Sequence, residues 1–380
     1  PSTDHIEYHS PTQLHYYPTG GEMYYVENSN LNFFVTTDHN MYVKKRGKKT
    51  FEFVPARELV GKRVSYKKNG IWKGSSPEKV VFPELEVKAG QFGHGVRTLP
   101  KLEMPTKSFM FLLGAFLSEG NCLNQPKTGS YGIEITQIKP AFRAKLIKML
   151  EDQNLTFGVT EEKIRIFSKQ LLMYFKQFGK CHQKYIPQEV FLYAKEDLEV
   201  LFEWLMWGDG TSINGRPVCY YSTSKQLADD VQKLALHIGK AANLQLGTPA
   251  KVQTIKGKQY NCRDCWEVRI INTKLEPTVN HGHVRTQNVQ QEYVVQNYEK
   301  PVYCLTVNNH VIYTRRTGKT AWSINCGRSG DKNIIGAIIP DEHMPRVGGK
   351  DGQIFDLLTA PSGVVSRINL GQLLEMGASK

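Results

Sequence analysis

Leu112-Leu113-Gly114-Ala115-Phe116-Leu117-Ser118-Glu119-Gly120 and Phe202-Glu203-Trp204-Leu205-Met206-Trp207-Gly208-Asp209-Gly210 share one plan. Each reads as a buried helix that finishes in a carboxylate followed by Gly. The Gly is expected as the left-handed residue after a helix. The carboxylate is not expected, because it meets the negative end of the helix dipole at a cost of roughly 0.3–1 kcal/mol. A local rule broken twice in the same way asks for a compensating cation. Gly114 and Ala115 favour close helix contact, so the helices are expected side by side with Glu119 and Asp209 converging. Such a pair could hold Mg²⁺ through oxygen ligands, which suits phosphodiester hydrolysis. The plainer alternative is two core helices capped by solvated acids.

Outward from these segments the texture is mixed. Positions 107–118, 140–153 and 225–238 carry helical apolar spacing, and 132–136 and 163–167 alternate as half-buried strands, giving an α/β module over 106–275. Before it, 31–66 alternates in short apolar runs with a turn at 44–49, and 70–105 reads as loops and short strands. After it, 277–297 reads as a polar loop, while 302–307 and 310–313 are strand-like again. β texture thus brackets the α/β module. Insertion into an exposed loop explains that better than a tandem array, because it leaves the host core intact.

A chain of 380 residues with 40% hydrophobic residues has room for two or three domains with separate cores. A net charge of +13 predicts attraction to a polyanion, with nucleic acid the commonest such partner. No apolar run reaches the roughly 18 residues needed to span a membrane. Seven cysteines without a repeating frame argue for a reducing compartment, by default the cytoplasm. Cys262 and Cys265 form one CxxC pair, half a zinc site only if further ligands lie nearby. The chain begins at Pro1 with no signal peptide, which suggests an incomplete sequence.

The first quoted segment resembles a LAGLIDADG motif and the second its partner ending in Gly-Asp-Gly. Between them His182-Gln183-Lys184-Tyr185-Ile186-Pro187 resembles the Lys-x-Ile-Pro element of intein endonucleases, and the stretch from Tyr221 to Val231 resembles the block that follows. The resemblance implies a homing endonuclease acting on double-stranded DNA, with Glu119 and Asp209 as metal-binding catalytic acids and Lys184 assisting. Trp204 stands where the second motif often has Gly, so the helix crossing must accommodate its bulk.

Thr36-Thr37-Asp38-His39 matches the Thr-x-x-His of the splicing fold that inteins share with hedgehog-type autoprocessing domains. From Val302 to His310, and on to Trp322-Ser323-Ile324-Asn325-Cys326, the chain resembles an intein C-terminal half with its junction. The chemistry needs these types. Asn325 can cyclise by attack of its amide nitrogen on its own carbonyl carbon. Cys326 is a thiol able to take over an acyl group by transesterification. His39 and His310 can move protons at the two scissile bonds, and Thr36 would orient the upstream one. Ile324 stands where His is common before the terminal Asn, which shifts the burden toward His310. Inteins begin with a Cys or Ser in a β element well upstream of Thr-x-x-His. No such element is expected before Leu31; Ser2 and Ser10 qualify by type alone. The missing start implies truncation or a separate N-terminal intein fragment as partner, and limits this chain to cleavage after Asn325.

After the junction, positions 327–336, 341–345 and 361–375 resemble successive motifs of the large β-type subunit of multisubunit RNA polymerases. There the resemblance gives Lys332 a contact to nucleotide phosphates and implies the other polymerase subunits as partners. Ser329 stands where His is usual and Asn333 where Gly is usual, pointing to a divergent phage or viral enzyme; the expected location is the cytoplasm, bacterial or of a host cell making a phage or viral product. The expected organisation is 1–105, truncated N-terminal part of an all-β splicing domain; 106–275, α/β endonuclease; 276–325, C-terminal part of the splicing domain; 326–380, polymerase segment. The rival reading keeps the polymerase as the main function and carries a nuclease-dead passenger.

Overall fold

The computed structural model describes residues 3–18, 21–88, 95–125, 129–255, 257–280, 291–324, 340–346 and 352. The chain is multi-domain and mostly β, with helices concentrated in its middle. These are α1 (Thr106–Glu119), α2 (Pro140–Asp152), α3 (Lys169–Phe175), α4 (Lys195–Asp209) and α5 (Lys225–His237). Their starts are written locally. Pro140 opens α2 where its missing N–H costs nothing, and Ser168 and Ser224 cap α3 and α5 by accepting from the Leu171 and Leu227 amides.

α1 and α4 lie against each other through glycine. A Cβ at Gly114 would sit 2.7 Å from the Trp204 Cβ, and one at Gly208 would sit 2.3 Å from the Ser118 Cβ. Each helix therefore offers a gap where the other presents a side chain. Gly114 is what receives Trp204, whose ring also stacks on Phe111 and meets Phe142 edge-on. The glycines that end the two helices correct one expectation. Gly120 (φ −90°) and Gly210 (φ −107°) are extended, not left-handed. They are glycine for space: a Cβ at Gly120 would lie 2.4 Å from the Phe116 ring, and one at Gly210 within 2.5 Å of Met206.

Each helix feeds directly into a four-stranded antiparallel sheet. α1 continues into Gly120–Gln125, which pairs outward to Ser130–Thr136, Lys163–Phe167 and Phe157–Val159. α4 continues into Gly210–Ile213, followed in the sheet by Arg216–Ser222, Cys265–Ile271 and Ala241–Thr248. One apolar core runs through both halves, from Phe109 and Leu113 to Leu205, Val231 and Val268.

The other core is built from the two ends of the chain. Gly21–Glu27 pairs on one side with Asn32–Thr36 and on the other with Glu292–Tyr298; Gln13–Tyr17 pairs with Val302–Thr306. Tyr24, Val26, Met41, Val43, Val64 and Ala321 fill its interior. Strands precede Leu31, but neither Gln13–Tyr17 nor Gly21–Glu27 holds a Cys or Ser. One expectation fails here: 277–297 is not all loop, since Thr278–Val279 and Glu292–Tyr298 are strands. The second lacks a period-two signal because Tyr293, Val294 and Val295 are all substantially exposed and only Glu292 is buried. Its strand conformation comes from a distant partner. The buried Glu292 carboxylate is satisfied by Tyr24 Oη (2.6 Å), Asn280 Nδ2 (2.6 Å) and the Gly61 amide.

The hairpin Val311–Arg316/Lys319–Ile324 joins the two cores. Thr317 and Gly318 both have positive φ (47° and 75°), as a two-residue hairpin turn requires. The Gly318 carbonyl accepts from the Leu244 amide at 2.9 Å, and a Cβ there would strike the Leu244 carbonyl at 1.8 Å. Nearby, fully buried Lys68 donates to the Asn30 carbonyl (2.6 Å) and Asn243 Oδ1 (2.7 Å).

Candidate catalytic sites

Glu119 and Asp209 are brought together at the ends of α1 and α4. Burial pushes the Asp209 carboxyl up to about 7, and the neighbouring Glu119 charge adds to the rise. Burial raises Glu119 as well. Two carboxylates in a half-buried site cannot both ionise freely without a cation.

The structure supplies two ammonium groups at the ends that break the dipole rule. Lys184 Nζ donates to the Phe116 and Gly120 carbonyls at 2.8 and 2.9 Å, closing α1. Lys139 Nζ donates to the Trp207 and Gly208 carbonyls at 2.7 and 3.2 Å, closing α4. Both lysines pull the two acids back toward ionisation. Lys184 is buried, which pulls its pKa down to about 8 against the opposing pull of Asp209, Cys181 and Glu119.

The neighbouring blocks hold these lysines. Ser224 Oγ donates to the Lys184 carbonyl at 2.6 Å, and the Ile186 amide donates to Asp230 at 2.8 Å. The block from Tyr221 to Val231 thus fixes the Lys184 loop. Gln137 Oε1 accepts from the Ile138 and Lys139 amides, both at 3.0 Å. Lys139 is not among the residues the sequence picks out, since a lysine immediately before the Pro that opens α2 carries no distinctive signal. Behind the acids, the buried Ser118 Oγ and Tyr220 Oη face each other with no further side-chain partner, and Tyr220 faces Gly210 in the sheet.

The donor set fits a divalent ion. Mg²⁺ is commonly held by one or two carboxylates, with water and substrate phosphate completing its shell. Among the described residues no cluster of three or more His, Cys, Asp or Glu occurs, and Cys262 Sγ lies 3.5 Å from Gln253 Oε1.

The second set of candidates lies in the β core. Thr36 ends its strand, and its carbonyl accepts from the His39 amide at 3.0 Å. His39 Nε2 is 3.0 Å from Ser323 Oγ, joining residues 284 apart in sequence. Ser323 is buried and was not singled out from the sequence. His310 is exposed with φ 59°, directly before Val311, which faces Ile324 across the hairpin. Ser10 is exposed; Ser2, Asn325, Cys326 and Lys332 lie outside the described residues, as does nearly all of 327–380. No helix among the described residues is long and apolar enough to cross a membrane.

Comparison with known proteins divides the chain. The family model for RNA polymerase Rpb2, domain 6, matches residues 323–380. A DNA-directed RNA polymerase subunit beta of Staphylococcus aureus is 47% identical over 51 residues, 13% of this chain and 4% of that protein. Two relatives align far more widely. The C-terminal section of RNA polymerase subunit beta of Stigeoclonium helveticum is 26% identical over 379 residues, 87% of this chain and 34% of the relative. An ATP-dependent Clp protease proteolytic subunit of Chlamydomonas moewusii is 22% identical over 461 residues, 94% of this chain and 45% of the relative. The chain thus spans less than half the length of these relatives. Among solved structures, I-DmoI in complex with its target DNA and in the presence of manganese aligns with 43% of this chain and 87% of its own, at 16% identity and TM-score 0.31. The homing endonuclease I-WcaI bound to its DNA recognition sequence aligns with 44% of this chain and 76% of its own, at 11% identity and TM-score 0.26.

Proposed function

We propose that the chain is a self-processing insertion, an intein that carries a metal-dependent DNA endonuclease, joined at Asn325–Cys326 to an RNA polymerase β-type segment. The observation that carries the nuclease reading is the pairing of Glu119 and Asp209 at the ends of two glycine-packed helices, each end closed by a lysine. Mg²⁺ held by those acids would supply a polarised water and charge neutralisation at a phosphodiester. This chain's own residues position the rest: Lys184 and Lys139 fix the helix ends, and the excess of basic residues draws the polyanionic substrate.

The splicing reading is supported by the β core, in which strands from both chain ends pair and His39 meets the strand that leads to Asn325. It is supported also by relatives named for two unrelated proteins, a polymerase subunit and a protease subunit, that align over most of the chain. A stretch shared by such hosts is what an insertion would produce. The polymerase family match starts at residue 323, beside the proposed junction.

At that junction Asn325 Nδ2 attacks its own carbonyl carbon, the bond to the Cys326 nitrogen breaks, and the proton from Nδ2 ends on that nitrogen. Incubating the full chain and following release of the peptide that begins at Cys326 by mass spectrometry tests this half. Release abolished by Asn325→Ala supports it, and no release from the unaltered chain contradicts it. For the nuclease half, the substrate is duplex DNA in which the host gene is joined without the insertion. Cutting that requires Mg²⁺ separates this reading from a nuclease-dead passenger in a polymerase subunit.

A further inference from the structure

We propose that Ser118 and Tyr220 form a latch that sets the spacing of Glu119 and Asp209, which makes both of them positioning residues for metal binding; this rests on the reading of the two acids as the nuclease centre. Ser118 directly precedes Glu119 at the end of α1. Tyr220 stands across the sheet from Gly210, which directly follows Asp209 at the end of α4. The two hydroxyls face each other, so the contact joins the helix end that carries one acid to the strand that backs the other. Burial, with the Asp209 and Glu119 charges adding to it, raises the Tyr220 phenol well above its ordinary value, so its hydroxyl stays a donor.

Packing alone calls for neither hydroxyl. Tyr220 is fully buried in the helical core, and Ser118 Oγ is sealed beneath α4, where a Cβ at Gly208 would lie 2.5 Å from it. A hydroxyl at such a place costs stability unless it is hydrogen-bonded, and among the described residues each has only the other. The opposite side of the same helix pair shows what packing accepts. There the residue before Asp209 is Gly208, and the residue across from Gly120 is Ile135, also fully buried. The crossing is thus filled once by apolar groups and once by a directional contact. Glycine packing limits how closely α1 and α4 approach but leaves them able to slide. A hydroxyl pair, with a preferred length and angle, resists sliding. Mg²⁺ demands near-ideal octahedral geometry, so an error in carboxylate spacing weakens its binding most.

The test uses the full chain, Tyr220→Phe, Ser118→Ala, the double variant and Asp209→Asn. Mn²⁺ binding is read from the free-ion signal in electron paramagnetic resonance, which involves no DNA cutting. Cutting of the duplex that lacks the insertion is timed in Mg²⁺ and in Mn²⁺, and denaturant unfolding serves as control. Expected in each single variant are Mn²⁺ affinity lowered about fivefold and cutting in Mg²⁺ slowed about tenfold, with a smaller loss in Mn²⁺ and a double variant no worse than either single one. Lowered stability with unchanged Mn²⁺ affinity and unchanged ion preference is what a merely structural role gives, and it overturns the latch. Losses that multiply in the double variant overturn it too, and both results leave the nuclease reading standing. Equal Mn²⁺ binding with and without the Asp209 carboxylate removes the nuclease centre, and this proposal with it. Should Tyr220→Phe fail to fold, Ser118→Ala decides alone, since unaltered affinity and ion preference in that variant contradict the latch.

Discussion

The two candidate sites are assembled in opposite ways. The carboxylate site draws Glu119, Lys139, Lys184 and Asp209 from one continuous stretch, each at the end of, or in a loop beside, a helix of the same core. The His39–Ser323 contact draws on residues 284 apart, and its core closes only when strands from the two chain ends pair. A module that is continuous in sequence can be placed in a loop of another fold without breaking that fold's core. The two proposed chemistries should therefore be separable by single substitutions.

The largest effect that sharpens this comparison is all-or-none. Asn325→Ala is expected to abolish release of the C-terminal peptide while DNA cutting stays within about twofold; chromatography and plasmid cleavage on one preparation check both. Loss of both activities together would break the separation.

Lys184→Met comes next. It removes the charged donor shared by the Phe116 and Gly120 carbonyls, the first of which keeps only the Gly120 amide, and a hydrogen bond to a charged group contributes about 1.5–3 kcal/mol. DNA cutting should fall at least tenfold and the helical core should unfold at lower denaturant, with peptide release unchanged. Denaturant titration followed by tryptophan fluorescence reads this, since Trp204 and Trp207 lie in α4.

Gly114→Ala is smaller. The new methyl meets Trp204 Cβ at 2.7 Å and the Leu201 carbonyl at 3.1 Å, so one helix must shift; overpacking of this kind costs about 1–3 kcal/mol, partly offset by the better helix propensity of Ala. The same titration should show a modest loss of stability.

The smallest effect is a gain. Asp209 has its folded pKa raised to about 7 from an ordinary value of 3.8, so the metal-free folded state binds more protons than the unfolded state between those values. Stability contributed by the protonated form is present at low pH and lost as pH rises through about 7. Asp209→Asn should remove this loss, raising the metal-free melting temperature at pH 8 by a few degrees and leaving it nearly unchanged at pH 4. Melting curves at the two pH values, without divalent ions, check it.

What was legible in the sequence follows the same division. α1, α4 and their acids stand out because helical periodicity, Gly and an unfavourably placed carboxylate are all local signals. Lys139 was not legible, because a lysine before Pro140 looks like any solvated turn residue until it reaches the Trp207 carbonyl. In the β core, Glu292–Tyr298 carries no alternation, since its exposed Tyr293, Val294 and Val295 share a strand with the buried Glu292. Its strand state is decided by Gly21–Glu27, which no window of sequence contains. Ser323 was passed over for the same reason: a serine on a strand has meaning only once His39 is beside it. The glycines after Glu119 and Asp209 were correctly noted as special, but the reason was the Phe116 ring and Met206, not a left-handed turn.

The most direct measurement is cutting of duplex DNA that joins the host coding sequence across the insertion point, with the full chain and Mg²⁺, compared with Asp209→Asn under the same conditions. Cutting by the unaltered chain is expected, with a loss on the order of a thousandfold in the variant and DNA affinity retained. Equal cutting by the two proteins, or none by the unaltered chain, would contradict it.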